Sequence, residues 1–277
     1  MTAAVAPAPA GVSFRERMEA MPTWVGGAVG VVIIFLLWWL ASAVLFQGSQ
    51  SIPSPIEVFG YFFSASAWAT TLGNLSGTVS TAAMGYLWGN LAAIILAMLV
   101  LLLPPLEQVA TQIAIVTYCL PLVAIGPILV LVSTTPQTPS IILAALSVFF
   151  TTSVGALLGL RAAPRTSLDL IKAYGGSRLT TLVKVQLIAA LPSLFAALKI
   201  AAPAAFLGAV LAEYLGSGGD ASLGRALIAA QSSADAPRLW YLALVSGGVA
   251  GVGYALVGLI SRVVTPWSSG SADGSKP

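Results

Sequence analysis

The sequence contains no histidine and a single cysteine, Cys119, among its 277 residues. Without histidine, the chain cannot form imidazole metal sites or Ser-His-Asp triads. A single cysteine excludes an intrachain disulfide and any cysteine-cluster metal site. Charged residues are also scarce, at 8% of the chain against about a quarter in a soluble globular domain. The classes that remain are a carboxylate enzyme, a transporter and a structural membrane protein.

Apolar residues take the place of the missing charges. They make up 58% of the chain, and the mean hydropathy is +0.95. The formal net charge of +3 does not arise from a basic patch or stripe of the kind that binds nucleic acid. We therefore expect lipid to be the main solvent and expect no nucleic-acid partner.

Long apolar runs predict the fold class. A helix that crosses a bilayer needs about 20 mostly apolar residues. Six such runs occur, at about 24–46, 73–102, 106–132, 139–160, 190–215 and 239–264. The first resembles a secretory signal, but it is longer than the roughly 7 to 15 apolar residues of a signal core, so we interpret it as an uncleaved helix. The sequence predicts an all-α integral membrane protein with about six transmembrane helices.

The basic residues predict the orientation, because Lys and Arg concentrate in short cytoplasmic loops. If the six runs alternate across the membrane, one side receives Arg15, Arg17, Arg161, Arg165, Lys172, Arg178, Lys184, Arg262 and Lys276. The other side has only Arg225 and Arg238, and Lys199 lies just inside the fifth run. We expect cytoplasmic tails at 1–22 and 267–277 around a transmembrane domain at 23–266.

Small residues and prolines suggest how the helices pack. Gly77, Gly85 and Gly89 in the second run, like Gly247 and Gly251 in the sixth, recur at four-residue multiples. This spacing is typical of close helix packing within or between subunits. Pro121 and Pro127 predict a kinked or broken third helix. Irregular backbone at membrane depth lies against protein or a water-filled cavity, so this helix is either a candidate for the translocation path or a kink that only shapes packing.

Two further features lie toward the predicted outer side. Glu213, near the end of the fifth run, either acts as a gate or helix-joining residue or merely reaches the membrane interface. An aromatic cluster between the first two runs is typical of an interfacial belt. It comprises Phe59, Tyr61, Phe62, Phe63 and Trp68.

The segment at 161–192 is the longest and most basic stretch between apolar runs, and we call it the coupling loop. We expect a short helix from an N-cap at Ser167 to Tyr174, a reversal at Gly175-Gly176, and a second short helix from near Ser177. Such a pair of helices would suit docking into a partner's groove. The candidate docking residues are Asp169, Lys172, Ala173, Tyr174, Gly175, Gly176, Ser177 and Arg178.

The coupling loop resembles the EAA loop of permease subunits of bacterial ABC importers. Asp169-Leu170-Ile171 stands where the Glu-Ala-Ala triplet would be, Gly175 matches the glycine, and Leu191-Pro192 matches the closing Leu-Pro. The resemblance covers roughly residues 50–267 and is closest to the nitrate/sulfonate/taurine branch. Further matches are Ile52-Pro53-Ser54-Pro55, Pro121 and Pro127, Glu213, Leu223-Gly224 and Pro266-Trp267.

The resemblance implies a type I ABC importer permease fold in the bacterial cytoplasmic membrane. It also implies two ATPase subunits that bind ATP and Mg, a second permease copy or paralogue, an external substrate-binding protein, and no cofactor in this chain. Candidate substrates are sulfonates, taurine, nitrate and small nitrogenous or aromatic compounds. However, Tyr118 and Thr81 occupy positions where many relatives have arginine, which weakens the case for an anion. Tyr118 joins Pro121, Pro127 and Glu213 as a candidate for the translocation path.

Two other functions are weighed against this one. An ion-coupled secondary carrier should place paired ionisable residues near the membrane midplane, and an intramembrane enzyme needs an activated nucleophile or a metal cluster. The sequence offers no convincing example of either. Residues 219–225 have the glycine spacing of a P-loop, but Arg225-Ala226 replaces Lys-Ser/Thr. We therefore expect a separate polypeptide to hydrolyse ATP.

Overall fold

The computed structural model describes residues 23–45 and 52–267, and its regular elements are all helical within those ranges. The helices are α1 (Thr23–Leu40, continued by a π-helical turn at Ala41–Leu45), α2 (Pro55–Phe62), α3 (Ala65–Leu102), α4 (Glu107–Cys119), α5 (Leu122–Val132), α6 (Thr138–Arg161), α7 (Arg165–Ala173), α8 (Arg178–Thr181), α9 (Leu187–Tyr214), α10 (Leu223–Ser232) and α11 (Ala236–Val264). The predicted N-terminal tail at 1–22, and most of the C-terminal one, lie outside the described residues.

Five stretches of helix are long and apolar enough to cross a membrane. They are Val25–Leu45, Ala65–Leu102, Thr138–Arg161, Arg178–Tyr214 and Ala236–Val264. A sixth candidate is the pair α4 and α5, whose axes differ by 92°. The prediction of an all-α membrane protein with about six spans is therefore confirmed.

The break between α4 and α5 lies at Pro121, as local chemistry requires. The residue before a proline is driven out of the helical region, and Leu120 has an extended backbone with φ −66° and ψ 123°. The carbonyl of Pro121 then accepts the first hydrogen bonds of α5, from the amides of Ala124 and Ile125. Pro127 lies inside α5 without ending it. The predicted break is present at Pro121, and the helix α5 continues through Pro127.

The broken pair crosses from one end of the bundle to the other. Helix α6 has 24 residues, so its ends are about 36 Å apart. Glu107, at the start of α4, forms an ion pair with Arg161 at the far end of α6. Gly126 of α5 lies instead against Leu143, near the beginning of α6, and against Leu215. The two halves thus act as one interrupted span.

Helix α6 packs between α3 and α9 through residues with little or no side chain. Gly85 and Gly89 of α3 lie so close to Ala144 and Ala145 that a Cβ atom would overlap them. On its other side, Gly155 of α6 has the same relationship with α9. In lipid, such close approach supplies the dispersion contacts that hold helices together.

The second set of small residues behaves differently. A Cβ atom added to Gly247 or Gly251 of α11 would have no neighbour within 4 Å, so these two glycines make no close helix contact among the described residues. Gly77 of α3 does have a near neighbour, the carbonyl oxygen of Ala221 in the loop before α10. Of these two sets, only the α3 glycines therefore pack inside the subunit.

The aromatic cluster joins α2 to α11. The ring of Tyr241, 1% exposed, lies 4.8 Å from that of Phe62 and 5.5 Å from that of Tyr61 between centroids. The ring of Trp68 is nearly perpendicular to the same ring, with the centroids 6.1 Å apart. The interfacial-belt interpretation did not include this packing. Of the five aromatic residues, Phe63 is the most exposed at 88%.

Candidate functional site

The first helix of the coupling loop is α7, which projects from the bundle without a single buried residue. It begins at Arg165 with Pro164 at the N-cap position, so the predicted N-cap at Ser167 is wrong by three residues. The reason is Pro164, whose backbone is not helical (φ −58°, ψ 133°) and whose carbonyl accepts hydrogen bonds from the amides of Ser167 and Leu168. Ser167 thus lies within the first turn and does not cap it.

The reversal after α7 is a Schellman turn built on two glycines. Gly175 has φ +74°, a conformation that costs an L-residue with a side chain about 1 to 2 kcal/mol. Its amide donates to the Lys172 carbonyl over 2.9 Å, and the Gly176 amide donates to the Ile171 carbonyl over 2.8 Å. A Cβ atom on Gly176 would collide with Ile171. Gly175 is therefore needed for its backbone conformation, and Gly176 is needed because a side chain there would collide with Ile171.

The second helix of the loop is not the separate short helix that we expected. Ser177 does cap α8, since its hydroxyl accepts the Thr180 amide over 3.2 Å. However, a π-helical segment at Leu182–Gln186 joins α8 to α9 without interruption. The result is one helical run of 37 residues from Arg178 to Tyr214. The Gly175-Gly176 turn is therefore joined to a membrane span by continuous helix.

The surface of the coupling loop mixes apolar and charged groups. Tyr174 is 85% exposed, and Leu170 and Leu179 are more than half exposed. Beside them, the Lys172 ammonium lies 3.9 Å from the Asp169 carboxylate, in an exposed pair that contributes little to stability. Exposed apolar side chains rimmed by charges are typical of a protein interaction surface.

Two polar contacts tie the coupling loop to the end of α3 and to the beginning of the broken span. At its start, the Arg161 guanidinium lies 2.7 Å from the Glu107 carboxylate of α4. At the other arm, Nη1 of Arg178 donates to the carbonyl of Leu102, the last residue of α3, over 3.3 Å. Sequence reasoning did not find these contacts, because their partners are 54 and 76 positions apart.

Three of the four translocation-path candidates belong to the broken span, with Tyr118 on α4, Pro121 in the break and Pro127 on α5. Pro121 and Pro127 are exposed, and Tyr118 is 69% exposed. The ring of Tyr118 lies 4.5 Å from that of Phe150 on α6. The rest of the described chain leaves this face of the broken span uncovered.

Glu213 is separated from that face and buried, with 1% exposure. Its carboxylate accepts hydrogen bonds from the Thr78 hydroxyl at 2.7 Å, the Gly224 amide at 3.1 Å and the Thr81 hydroxyl at 3.4 Å. The Thr78 hydroxyl oxygen also accepts from the Leu223 amide over 2.9 Å. The interpretation that Glu213 merely reaches the interface is wrong, since it connects three helices.

The geometry explains how α10 begins. Ser222, at its N-cap position, makes no side-chain capping bond. Instead, the carboxylate of Glu213, which belongs to α9, caps α10 by accepting the Gly224 amide, which would otherwise have no partner. Gly224 also belongs to the segment 219–225, which has the glycine spacing of a P-loop, and its amide is already bonded to Glu213.

Comparison with known proteins points to one family. A family described as "Binding-protein-dependent transport system inner membrane component" matches residues 89–269. A probable ABC transporter permease protein of Haemophilus influenzae is 30% identical over 68% of this chain and 76% of the relative. The riboflavin transport system permease protein RibX of Chloroflexus aurantiacus is 25% identical over 93% and 96% of the two chains. The formylaminopyrimidine transport permease protein ThiX of Halalkalibacterium halodurans is 22% identical over 85% and 93%.

Proposed function

This chain belongs to the family of inner-membrane components of binding-protein-dependent transport systems, and we propose that its coupling loop moves the broken span in response to an ATPase. The chain is a multi-pass permease subunit of an ABC importer in the cytoplasmic membrane. Its own part is transport, and the hydrolysis of ATP belongs to separate subunits in this proposal.

The proposed assembly contains two ATPase subunits, a second permease copy or paralogue, and an external substrate-binding protein. ATP and Mg bind to the ATPases. The coupling loop and both chain termini face the cytoplasm, which agrees with the excess of Lys and Arg on that side. The exposed Leu170, Tyr174 and Leu179 enter a cleft on the ATPase, and the surrounding charges form the rim of that contact.

The observation that carries the proposal is the double connection of the coupling loop. One arm is continuous with α9, since the helical run from Arg178 to Tyr214 has no break. The other contacts are the Arg161–Glu107 ion pair, which reaches the start of α4, and the Arg178–Leu102 hydrogen bond, which reaches the end of α3. A displacement of the loop is therefore passed both to a full span and to the broken one.

The broken span forms one wall of the translocation path. Because α4 and α5 meet at 92°, they can change their mutual angle at Leu120-Pro121 without breaking hydrogen bonds inside either half. Tyr118, Pro121 and Pro127 lie on the uncovered face, which the second permease subunit completes. Binding of ATP supplies the bias between two arrangements, as any coupled conformational change requires.

The proposal is tested by purifying the tagged chain from its native membrane in mild detergent and identifying every co-purifying protein by mass spectrometry. We expect a stoichiometric ATPase with the wild type, and its loss with Gly175→Val, which strains the turn at φ +74°. Gly248→Val, at a helical glycine with nothing within 4 Å, is the matched control and should retain the ATPase. A chain that never carries an ATPase, even after crosslinking, and that transports on an ion gradient would be a secondary carrier instead.

A further inference from the structure

A half-open pocket of about 310 Å³ lies at the end of the bundle opposite the coupling loop. We call it the α3–α11 pocket, because its walls are the first turns of those two helices, with Tyr61 of α2 at one side. The other end of α3, at Leu102, bonds Arg178 of the coupling loop. Since α3 has 38 residues, its ends lie about 57 Å apart. The helix therefore extends beyond the roughly 30 Å of acyl chains in a bilayer.

A pair of tryptophans places the pocket at the level of the lipid headgroups. Trp38 of α1 and Trp240 of α11 stack with their ring centroids 5.2 Å apart. Tryptophan concentrates at the interface between acyl chains and headgroups. Arg238 and Asp235, which line the pocket, precede Trp240 by two and five positions, or about 3 and 8 Å along the helix axis. Both charged residues thus lie just beyond that interface, where headgroups are found.

The wall of the pocket contains a guanidinium and an amide without partners. The Arg238 guanidinium makes no hydrogen bond or ion pair in the described part of the chain, and the Asn74 side chain makes no hydrogen bond there. Both residues are half-buried, and their polar side-chain atoms remain accessible. Hydroxyls of the wall are occupied, since Ser64 and Ser66 bond each other over 3.1 Å and Thr70 donates to the Ser66 carbonyl over 3.0 Å. The guanidinium and the amide are therefore the groups that can bind an anion.

Arg238 does not stabilise the helix that carries it. It lies in the first turn of α11, and its backbone amide donates to the carboxylate of the N-cap residue Asp235 over 3.1 Å. The N-terminal end of a helix has a partial positive charge, so a cation in its first turn is repelled. An anion that binds from outside the chain would offset this repulsion.

The negative charge of Asp235 restricts the kind of anion that fits. The Asp235 carboxylate accepts the Tyr61 hydroxyl at 3.0 and 3.2 Å and lies in the same wall as Arg238. It would repel a simple anion, whereas a zwitterion can present its anion to Arg238 and its cation to Asp235. Glu57, one turn before Tyr61, does not line the pocket, and its carboxylate accepts the Ser54 amide over 3.1 Å.

We propose that the α3–α11 pocket binds the headgroup of phosphatidylethanolamine, with the phosphate at Arg238 and Asn74 and the ammonium at Asp235. The phosphate oxygens accept hydrogen bonds from the guanidinium and the amide, and the primary ammonium donates to the carboxylate. An engineered cavity of about 150 Å³ in another protein binds benzene, so this larger pocket has room for an ethanolamine phosphate group. The bound lipid bridges α3 and α11, away from the coupling loop and the broken span.

The test titrates the complete chain in mild detergent with three lipids of identical acyl chains and measures bound lipid by native mass spectrometry. We expect phosphatidylethanolamine to bind about tenfold more tightly than phosphatidylcholine, whose quaternary ammonium has no proton to donate. Phosphatidylglycerol, which has no cation for Asp235, should bind more weakly by a similar factor. Glycerophosphoethanolamine, the same headgroup without acyl chains, should bind at least about tenfold more weakly than the lipid, because it buries no apolar surface.

Three variants assign the binding to the pocket. Arg238→Gln should weaken phosphatidylethanolamine binding about tenfold, the effect of one charge-assisted hydrogen bond. Arg225→Gln is the matched control, since that arginine lies at the same end of the bundle but already pairs with Asp220 at 3.1 Å, and it should leave binding unchanged. Asp235→Asn keeps an acceptor at the N-cap position and should remove the preference for phosphatidylethanolamine over phosphatidylglycerol.

Three outcomes would overturn the inference. They are equal binding of phosphatidylethanolamine and phosphatidylcholine, equal effects of Arg238→Gln and Arg225→Gln, and binding of glycerophosphoethanolamine as tight as that of the lipid, which would make a soluble zwitterion the ligand. Each of them leaves the proposed function untouched, because that function is tested separately by the ATPase that accompanies the chain.

Discussion

The carboxylate of Glu213 accepts a hydrogen bond from the Thr78 hydroxyl over 2.7 Å, although 135 positions separate the two residues. The contact joins the end of α9 to the middle of α3, and a further bond from the Gly224 amide adds α10. Glu213 is buried, and it is the acceptor for the Gly224 amide and the nearer of two acceptors for the Thr78 hydroxyl, whose other acceptor is the Asn74 carbonyl at 3.4 Å. The carboxylate thus holds together the end of the bundle opposite the coupling loop.

Replacing Glu213 with alanine should destabilise the subunit by about 2 kcal/mol or more, because it leaves buried donors without an acceptor. Glu213→Gln should cost less, since its amide oxygen can still accept from Thr78 or Gly224. Thermal unfolding in detergent, followed by fluorescence-detected size exclusion, measures both effects. Equal unfolding midpoints for the alanine variant and the wild type would contradict this account of the site.

The packing glycines of α3 and α11 should respond differently to the same substitution. A Cβ atom on Gly89 would lie 2.5 Å from the Ala145 carbonyl oxygen, so Gly89→Val should cost about 1 to 3 kcal/mol of stability or more. Gly251→Val meets no atom within 4 Å and should leave the unfolding midpoint of the isolated subunit nearly unchanged. A large loss of stability with Gly251→Val in a subunit shown to be monomeric would contradict the assignment of close packing to Gly89 and not to Gly251.

The Arg161–Glu107 ion pair should matter for coupling more than for stability. Both side chains are nearly half exposed, so removing one should change stability by no more than about 1 kcal/mol. If the pair transmits loop movement to α4, however, Arg161→Glu should lower ATP-driven transport by the reconstituted complex. The double reversal Arg161→Glu with Glu107→Arg should restore transport, and failure of that rescue would argue against a direct mechanical link.

The stability of the α2–α11 contact should decline at alkaline pH. Burial, followed by the hydrogen bond to Asp235 and the negative charge of that residue, raises the pKa of Tyr61 above its ordinary value of 10.0. The Tyr61 hydroxyl donates to both Asp235 oxygens, at 3.0 and 3.2 Å. Since the folded-state pKa is the higher one, this contribution to stability is complete below the unfolded-state pKa and is lost as pH rises through the folded-state pKa.

Unfolding midpoints measured from about pH 8 to pH 11.5 test this dependence. Tyr61→Phe should be less stable than the wild type at the lower end of the range and should lose less stability toward the upper end. Parallel curves for the two proteins would mean that the Tyr61 hydroxyl contributes nothing to the alkaline decline.

Local features of the sequence predicted the local features of the fold. Apolar runs of about 20 residues form helices, because a bilayer offers no other partner for the backbone amides. The break at Pro121 and the reversal at Gly175-Gly176 follow equally from the restrictions on a few neighbouring residues. The alignment of the coupling loop with a known motif rested on the same short stretch.

Errors appeared where a distant or competing contact decided the outcome. Ser167 is an acceptable N-cap, but Pro164 turns the chain first. Ser177 does begin a helix, but π-helical pairing continues that helix into α9. Glu213 was an open question in the sequence, because an ionisable residue near the end of a span can face water or the bundle interior.

Composition and backbone restrictions over a few residues were thus enough to establish the class of protein, the number of spans, the position of the break and the family motif. The three-dimensional arrangement was needed to establish that Thr78 and Glu213 meet and that Arg161 reaches Glu107. These relationships depend on which faces of distant helices approach each other, and helix contacts in lipid are selected by the fit of small surfaces and not by a hydrophobic pattern that a sequence displays.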